Sequence, residues 1–291
     1  MDFPIFGVIE KTPVILDGAM GTRLMNAGIA PGEAPERVNI DHPEVVENIH
    51  REYFNAGADV VITNTFGANV VKLKSKGLAD QAGAINAAGA GIALNACPPG
   101  KWVAGDMGPT GRFLKPLGDL TREEMEAAFK DQARVLVEGG VHFLIIETMY
   151  ALEEAVVALH SAKAQGSVPV VASMTFNKVK DGFFTMMGES LEEVVSSLDQ
   201  AGADGLGANC TLGTQDMILL AEKMRKLTFK PILIQPNAGK PVLKDGITRY
   251  EQTPEEFAAD AKAIRAAGVD MIGGCCGTDP NFIRELARVL E

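Results

Sequence analysis

One junction, repeated four times, constrains this chain more than any other feature. A helical stretch ends in small residues and runs straight into a short apolar strand. The copies are Ala56-Gly57-Ala58-Asp59 before Val60-Val61-Ile62, Gly139-Gly140-Val141-His142 before Phe143-Leu144-Ile145-Ile146, Ala201-Gly202-Ala203-Asp204 before Gly205-Leu206-Gly207, and Ala267-Gly268-Val269-Asp270 before Met271-Ile272-Gly273. Glycine suits the position just past a helix, where φ is positive. The run after it reads as a buried parallel strand.

Four more strands are expected between these, over 13–16, 102–105, 169–174 and 231–235, the last two opened by a proline. Proline is tolerated at a strand's first residue. Helical segments are expected over 42–57, 80–96, 122–138, 151–165, 189–201, 214–227, 254–267 and 280–290. Thr121, Ser190 and Thr253 stand as N-caps before acidic first turns, with Pro254 at the first helical position. Eight βα units in 291 residues fit an α/β fold, a single (β/α)8 TIM barrel, which takes ~250 residues or more. An open doubly wound sheet is the other arrangement such alternation allows. No Ser/Gly-rich linker or break in composition divides the chain, so one domain is expected over 1–291. The segments 17–41, 64–79 and 106–120 read as long loops, and long βα loops build barrel active sites.

Charge and hydropathy narrow the function. Lys plus Arg total 27 against 38 Asp plus Glu, a net charge of −11, which argues against nucleic acid or an anionic membrane as partner. The apolar runs are strand-sized, far below the ~20 residues of a membrane span. Met1-Asp2-Phe3-Pro4 has neither the basic nor the apolar region of a secretory signal. A cytoplasmic protein is therefore expected, with its four cysteines as free thiols.

In a barrel the chemistry collects at the C-terminal ends of the strands. Those ends carry Asp17, then Thr63-Asn64-Thr65, Asp106, Glu147-Thr148, Thr175, Asn209-Cys210, Gln235-Pro236-Asn237 and Cys275-Cys276. Three of the four cysteines thus share one rim, on the sixth and eighth strands, which flank the seventh. Cys97 falls at the opposite rim. Three thiolates hold Zn at ~2.3 Å and leave one tetrahedral position open, the mark of a catalytic site. Soft ligands favour Zn over Mg or Mn. The residues alone also allow three small buried hydrophobes, or a redox-active vicinal pair.

A Zn site of thiolates alone is electron-rich and a weak activator of water. It suits a substrate thiol, bound as the fourth thiolate and still nucleophilic, so alkyl transfer to sulfur is the expected reaction. Asp17 and Glu147 at the mouth could hold an ammonium group, or could act as internal caps or ion pairs. Asn237 is a candidate for the lighter fourth ligand, because its strand lies between the two cysteine-bearing ones. The run Asp17-Gly18-Ala19-Met20-Gly21-Thr22 lacks the spacing of a nucleotide-phosphate loop, and its backbone N–H groups could take a carboxylate instead. His42, His50, His142 and His160 read as local or packing residues. Most of the methionines do too, although those on βα loops could line a thioether pocket.

Six runs together carry a resemblance. They are Asp17-Gly18-Ala19-Met20-Gly21-Thr22, Thr63-Asn64-Thr65-Phe66-Gly67-Ala68, Gly105-Asp106-Met107-Gly108-Pro109-Thr110-Gly111, Gly207-Ala208-Asn209-Cys210, Gln235-Pro236-Asn237-Ala238-Gly239-Lys240-Pro241 and Gly273-Gly274-Cys275-Cys276-Gly277-Thr278. From about residue 12 to 288 the chain resembles the Zn-dependent homocysteine S-methyltransferase family. Within it, the chain is most similar to the homocysteine-binding domain of cobalamin-dependent methionine synthases, and less so to the betaine-dependent branch. The resemblance implies a (β/α)8 barrel, Zn2+ on Cys210, Cys275 and Cys276, and Asp17 and Glu147 as contacts to homocysteine. It implies an S-methyltransferase that makes methionine, its methyl group drawn from methylcobalamin on a separate corrinoid protein or domain. A small sulfonium or ammonium donor such as S-methylmethionine is the alternative. From a different class, a non-catalytic Zn barrel acting as a thiol sensor would need no ammonium clamp.

Overall fold

The computed structural model describes residues 13–29, 34–166, 168–180, 182–244 and 247–290. The N-terminal residues read above for a signal, and 30–33 of the expected loop 17–41, lie outside the described residues. Eight parallel strands form one sheet in the order 1-8-7-6-5-4-3-2. They are Val14–Ile15, Val60–Ile62, Trp102–Met107, Phe143–Met149, Val170–Met174, Gly205–Gly213, Ile232–Asn237 and Met271–Ile272. A bridge between Leu16 and Val60 joins the first strand to the second, with the Asp17 N–H donating to the Val60 carbonyl at 3.0 Å. The sheet is therefore a closed (β/α)8 barrel rather than an open doubly wound one.

The repeated junction performs two tasks. Gly57, Gly140, Gly202 and Gly268 all take positive φ, between 88° and 109°, which ends each helix without a Cβ penalty. Two residues later, a side chain reaches back to the preceding strand. Asp59 accepts from the Ile15 N–H at 2.9 Å, His142 Nδ1 from Val103 at 2.9 Å, Asp204 from Val170 at 2.7 Å and Asp270 from Ile232 at 2.9 Å. Each even strand thus satisfies a backbone donor near the start of the odd strand before it, at the rim opposite the cysteines. Lys101, Lys163 and Arg225 pair with the three aspartates.

Alternation along the strands builds two layers. Val14, Leu16, Val60, Ile62, Ala104, Phe143, Ile145, Val171, Leu233 and Met271 form one buried cluster, the barrel interior. The residues between them, such as Ile15, Val61, Val103, Leu144, Val170 and Ile232, pack outward under the helices. The sixth strand presents Gly205 and Gly207 inward. A Cβ on Gly207 would stand 2.6 Å from the Leu233 carbonyl oxygen.

The eight outer helices run Pro43–Asn55, Ala82–Ala96, Arg122–Glu138, Leu152–Lys163, Leu191–Gln200, Thr214–Arg225, Pro254–Ala266 and Pro280–Leu290. All three expected N-caps are formed, and Thr121 with Glu124 and Thr253 with Glu256 close reciprocal capping boxes. The expected long loops 17–41 and 64–79 are not structureless. They hold short helices at Met20–Asn26, Val38–Asp41 and Val70–Lys74, and single 3-10 turns at Pro35–Arg37 and Ala79–Gln81. Two antiparallel hairpins also rise from the mouth. Asn177–Val179 pairs with Gly182–Phe184 after the fifth strand, and Val242–Lys244 with Ile247–Arg249 after the seventh. No described helix is long and apolar enough to cross a membrane.

Candidate metal and substrate site

The three rim cysteines meet. The Sγ atoms of Cys210, Cys275 and Cys276 all lie within 4.8 Å of one another, and those of Cys210 and Cys276 are 3.8 Å apart. Tetrahedral bonds of ~2.3 Å to Zn require sulfurs about 3.8 Å apart, so the cluster fits the ion that its soft donors favour. Cys97 stays apart at the other rim, its thiol facing the Pro98 carbonyl.

Backbone geometry aims each sulfur. The pairing of the sixth strand is irregular between Asn209 and Gly213, and there Cys210 and Thr211 take φ of 60° and 51°. Non-glycine residues rarely adopt that conformation, and a bulge of this kind turns a side chain out of strand alternation. The Cys-Cys segment follows the very short eighth strand and is tied on both sides. Gly274 N–H donates to the Asp17 carbonyl at 2.9 Å, Cys275 N–H to Pro236 at 2.8 Å, and Ala238 N–H to Cys276 at 3.0 Å. Thr278 Oγ1 donates to the Cys275 carbonyl at 2.7 Å and accepts from the Ala19 N–H at 3.1 Å.

The fourth strand has a matching irregularity between Ile146 and Met149, with Thr148 at φ 58°. Asn209 links the two bulges. Its Oδ1 accepts from the Thr148 N–H and from Ser173 Oγ, both at 2.9 Å. Its Nδ2 donates to Thr148 Oγ1 at 2.7 Å and lies 3.5 Å from Glu147. Burial, with the charge of nearby Cys210, raises Glu147 to about 7. Asp17 is also raised, by burial first and then by Glu147, although its Oδ2 accepts from the Ile62 N–H at 2.9 Å. Asp17 therefore has a capping role on the second strand as well as a place beside Glu147.

Gly18 admits no side chain, since a Cβ would meet Thr278 Oγ1 at 2.6 Å and Tyr53 Oη at 3.0 Å. Asn237 is buried, and its Oδ1 has no hydrogen-bond partner among the described residues. Within the thiol cluster Cys276 is the common acceptor. Hydrogen bonds from Cys210 and Cys275, joined by one from Tyr250, lower it to about 3, while Cys275 is pushed up as a donor. Tyr250 is the residue that sequence reasoning misses. It follows the second hairpin and packs against Gly277, where a Cβ would come 2.3 Å from its ring. The bare glycine beside Cys276 was its only trace in the sequence.

Taken together, three converging thiols and two buried carboxylates at the mouth of a closed barrel form a candidate metal and substrate site. The chain belongs to the homocysteine S-methyltransferase family, whose profile matches residues 14–290. It is 33% identical to the methionine synthase of Mycobacterium tuberculosis (strain ATCC 25618 / H37Rv) over 310 residues, and 32% identical to that of Mycobacterium leprae (strain TN) over 307. Each alignment covers 99% of this chain, which spans about a quarter (25%) of the length of those relatives. Among solved structures it is similar to the metallated form of the homocysteine methyltransferase MmuM from Escherichia coli. That match has a TM-score of 0.82 at 24% identity, over 98% of this chain and 99% of the other, a likeness of fold.

Proposed function

We propose that the chain transfers a methyl group to the sulfur of homocysteine, giving methionine, with Cys210, Cys275 and Cys276 as the ligands of a zinc ion. The convergence of the three sulfurs within 4.8 Å at the barrel mouth carries this reading. Bound there, zinc would supply a site for the substrate sulfur as a thiolate that remains nucleophilic near neutral pH, where a free thiol of pKa ~8.5 is mostly protonated.

The chain's own residues do the rest. Glu147 and Asp17 face the substrate ammonium, and its positive charge restores the ionised forms that burial disfavours. The bare Gly18 lets the substrate carboxylate approach the backbone. Asn237 offers its free Oδ1 beside the thiols when no substrate sulfur is present. Asn209 holds both bulges in register and so fixes Glu147 relative to Cys210. The acceptor sulfur forms the new bond to the methyl carbon, and the donor leaves with its bonding pair. The donor we favour is a methylcorrinoid on a separate protein or domain, delivered at the mouth between the loops 17–41 and 106–120. The two mycobacterial relatives are named methionine synthases, which supports methionine as the product.

A methyl-transfer assay on the purified chain tests this, with homocysteine as acceptor and with methylcobalamin and S-methylmethionine as separate donors. Methionine formed from methylcobalamin supports the proposal. Methionine formed from S-methylmethionine alone moves the donor to the small sulfonium class. Homocysteine binding without turnover on either donor would favour a thiol sensor.

A further inference from the structure

Inward alternation does not stop at the apolar interior. Above Leu16, Ala104, Phe143, Ile145, Val171 and Leu233, the next inward positions of the third to seventh strands are Asp106, Glu147, Ser173, Asn209 and Gln235. This polar layer is the floor of the mouth. Asn209 bridges Ser173 and Glu147 as described. The other two end in unanswered acceptors. Asp106 Oδ1 and Gln235 Oε1 are buried without a hydrogen-bond partner among the described residues, and the two residues are only 4% and 3% exposed.

The backbone of Asp106 is anchored on both sides. Its N–H donates to Thr63 Oγ1 at 2.9 Å, and its carbonyl accepts from Thr65 Oγ1 at 2.8 Å and Gln132 Nε2 at 3.3 Å. Its carboxyl group is raised by burial and then by Glu147, Glu36 and Asp17, with only Lys72 acting against them. Lys72 is engaged elsewhere, its Nζ over the Phe66 ring at 4.3 Å from the centroid. A buried acceptor left unsatisfied is costly, and a buried carboxylate more so. A floor whose free atoms are all acceptors, walled by two more carboxylates, is complementary to a cation with several N–H donors.

We propose that Asp106 is a substrate-binding residue, which with Gln235 receives the α-ammonium group of the acceptor amino acid on the floor of the mouth. This rests on the homocysteine reading and deepens it. Asp17 spends Oδ2 on the Ile62 N–H and Glu147 Oε2 lies near Asn209, whereas Asp106 Oδ1 is the oxygen of the three carboxylates that is buried with no partner among the described residues, so an N–H donor from the ligand relieves the most there. Selectivity for an amino acid over a plain thiol would then depend on the third strand as well as the first and fourth.

The test is calorimetric binding to the zinc-loaded protein, comparing homocysteine with 4-mercaptobutyrate, its analogue without the amino group. Asp106→Asn should weaken homocysteine roughly thirtyfold or more, the loss typical of removing one partner from a buried charge pair. It should leave 4-mercaptobutyrate within about twofold and zinc content unchanged, since the charge faces neither the analogue nor the metal. Unchanged affinity for homocysteine, equal losses for both thiols, or loss of zinc would each overturn the proposal. Should Asp106→Asn fail to fold, Asp106→Ser removes the charge with a smaller side chain and is read the same way. Wild-type protein that bound 4-mercaptobutyrate but not homocysteine would overturn the homocysteine reading itself, a result distinct from any change confined to the Asp106 variants.

Discussion

At the residue scale the account rests on three sulfurs and their neighbours. Purified reduced protein should hold about one zinc per chain, and Cys210→Ser, Cys275→Ser or Cys276→Ser should each abolish stable binding, because a structural or catalytic zinc needs its full protein ligand set. Cys97→Ser should retain the metal. Elemental analysis after dialysis decides this, and full zinc in a triple Ser variant would refute the ligand assignment. Glu147→Gln should weaken homocysteine binding by about 2–5 kcal/mol and a simple thiol much less. Asp17→Asn should do likewise but also cost stability, since its Oδ2 caps the Ile62 N–H. The convergence of these residues was legible because barrel arithmetic assigns every strand end to one rim. Tyr250 was not, because it arrives from an irregular segment with no period to place it. The orphaned oxygens of Asp106 and Gln235 were not either, because sequence names a polar residue but not its missing partner.

At the scale of elements, the strand-entry acids should be structural and nothing else. Asp204→Ala removes a bond to the Val170 N–H and an ion pair to Lys163, both at the rim away from the thiols. A hydrogen bond to a charged group is worth ~1.5–3 kcal/mol, so urea unfolding should show a loss of that order with zinc content intact. A loss of zinc with no loss of stability would contradict this division between the two rims. All eight barrel strands and eight outer helices were readable from turn glycines, caps and apolar runs. The two hairpins were not found by that search, which looks for one strand per unit. Their sequence signal is nevertheless local, Asp181-Gly182 and Asp245-Gly246 between short extended runs. The short helices within 17–41 and 64–79 were hidden for a different reason. At four to seven residues they have too few turns for an amphipathic period and depend on tertiary contacts.

At the scale of the whole molecule, one buried group ties the stability of the barrel to pH. His50 is fully buried on Pro43–Asn55, neither ring nitrogen has a partner among the described residues, and burial lowers it to about 3. The unfolded chain, with its histidine near 6.5, therefore binds a proton that the fold refuses between about pH 6.5 and 3. Stability must rise with pH across that window and fall as acid is added. From pH 7.5 to 5 this residue alone should remove about 2 kcal/mol. His50→Leu should abolish that share of the slope in urea titrations at the two pH values, and an unchanged slope would mean that His50 is reached by water or by a partner.

The central claim is that the thiol cluster holds a metal whose remaining position takes the substrate sulfur. X-ray absorption at the zinc edge, recorded with and without saturating homocysteine, tests it most directly. The account predicts three sulfurs and one lighter atom at rest, from water or Asn237 Oδ1, and four sulfurs with homocysteine. A lighter fourth ligand that persisted at saturating homocysteine, in protein that still made methionine at full rate, would contradict it.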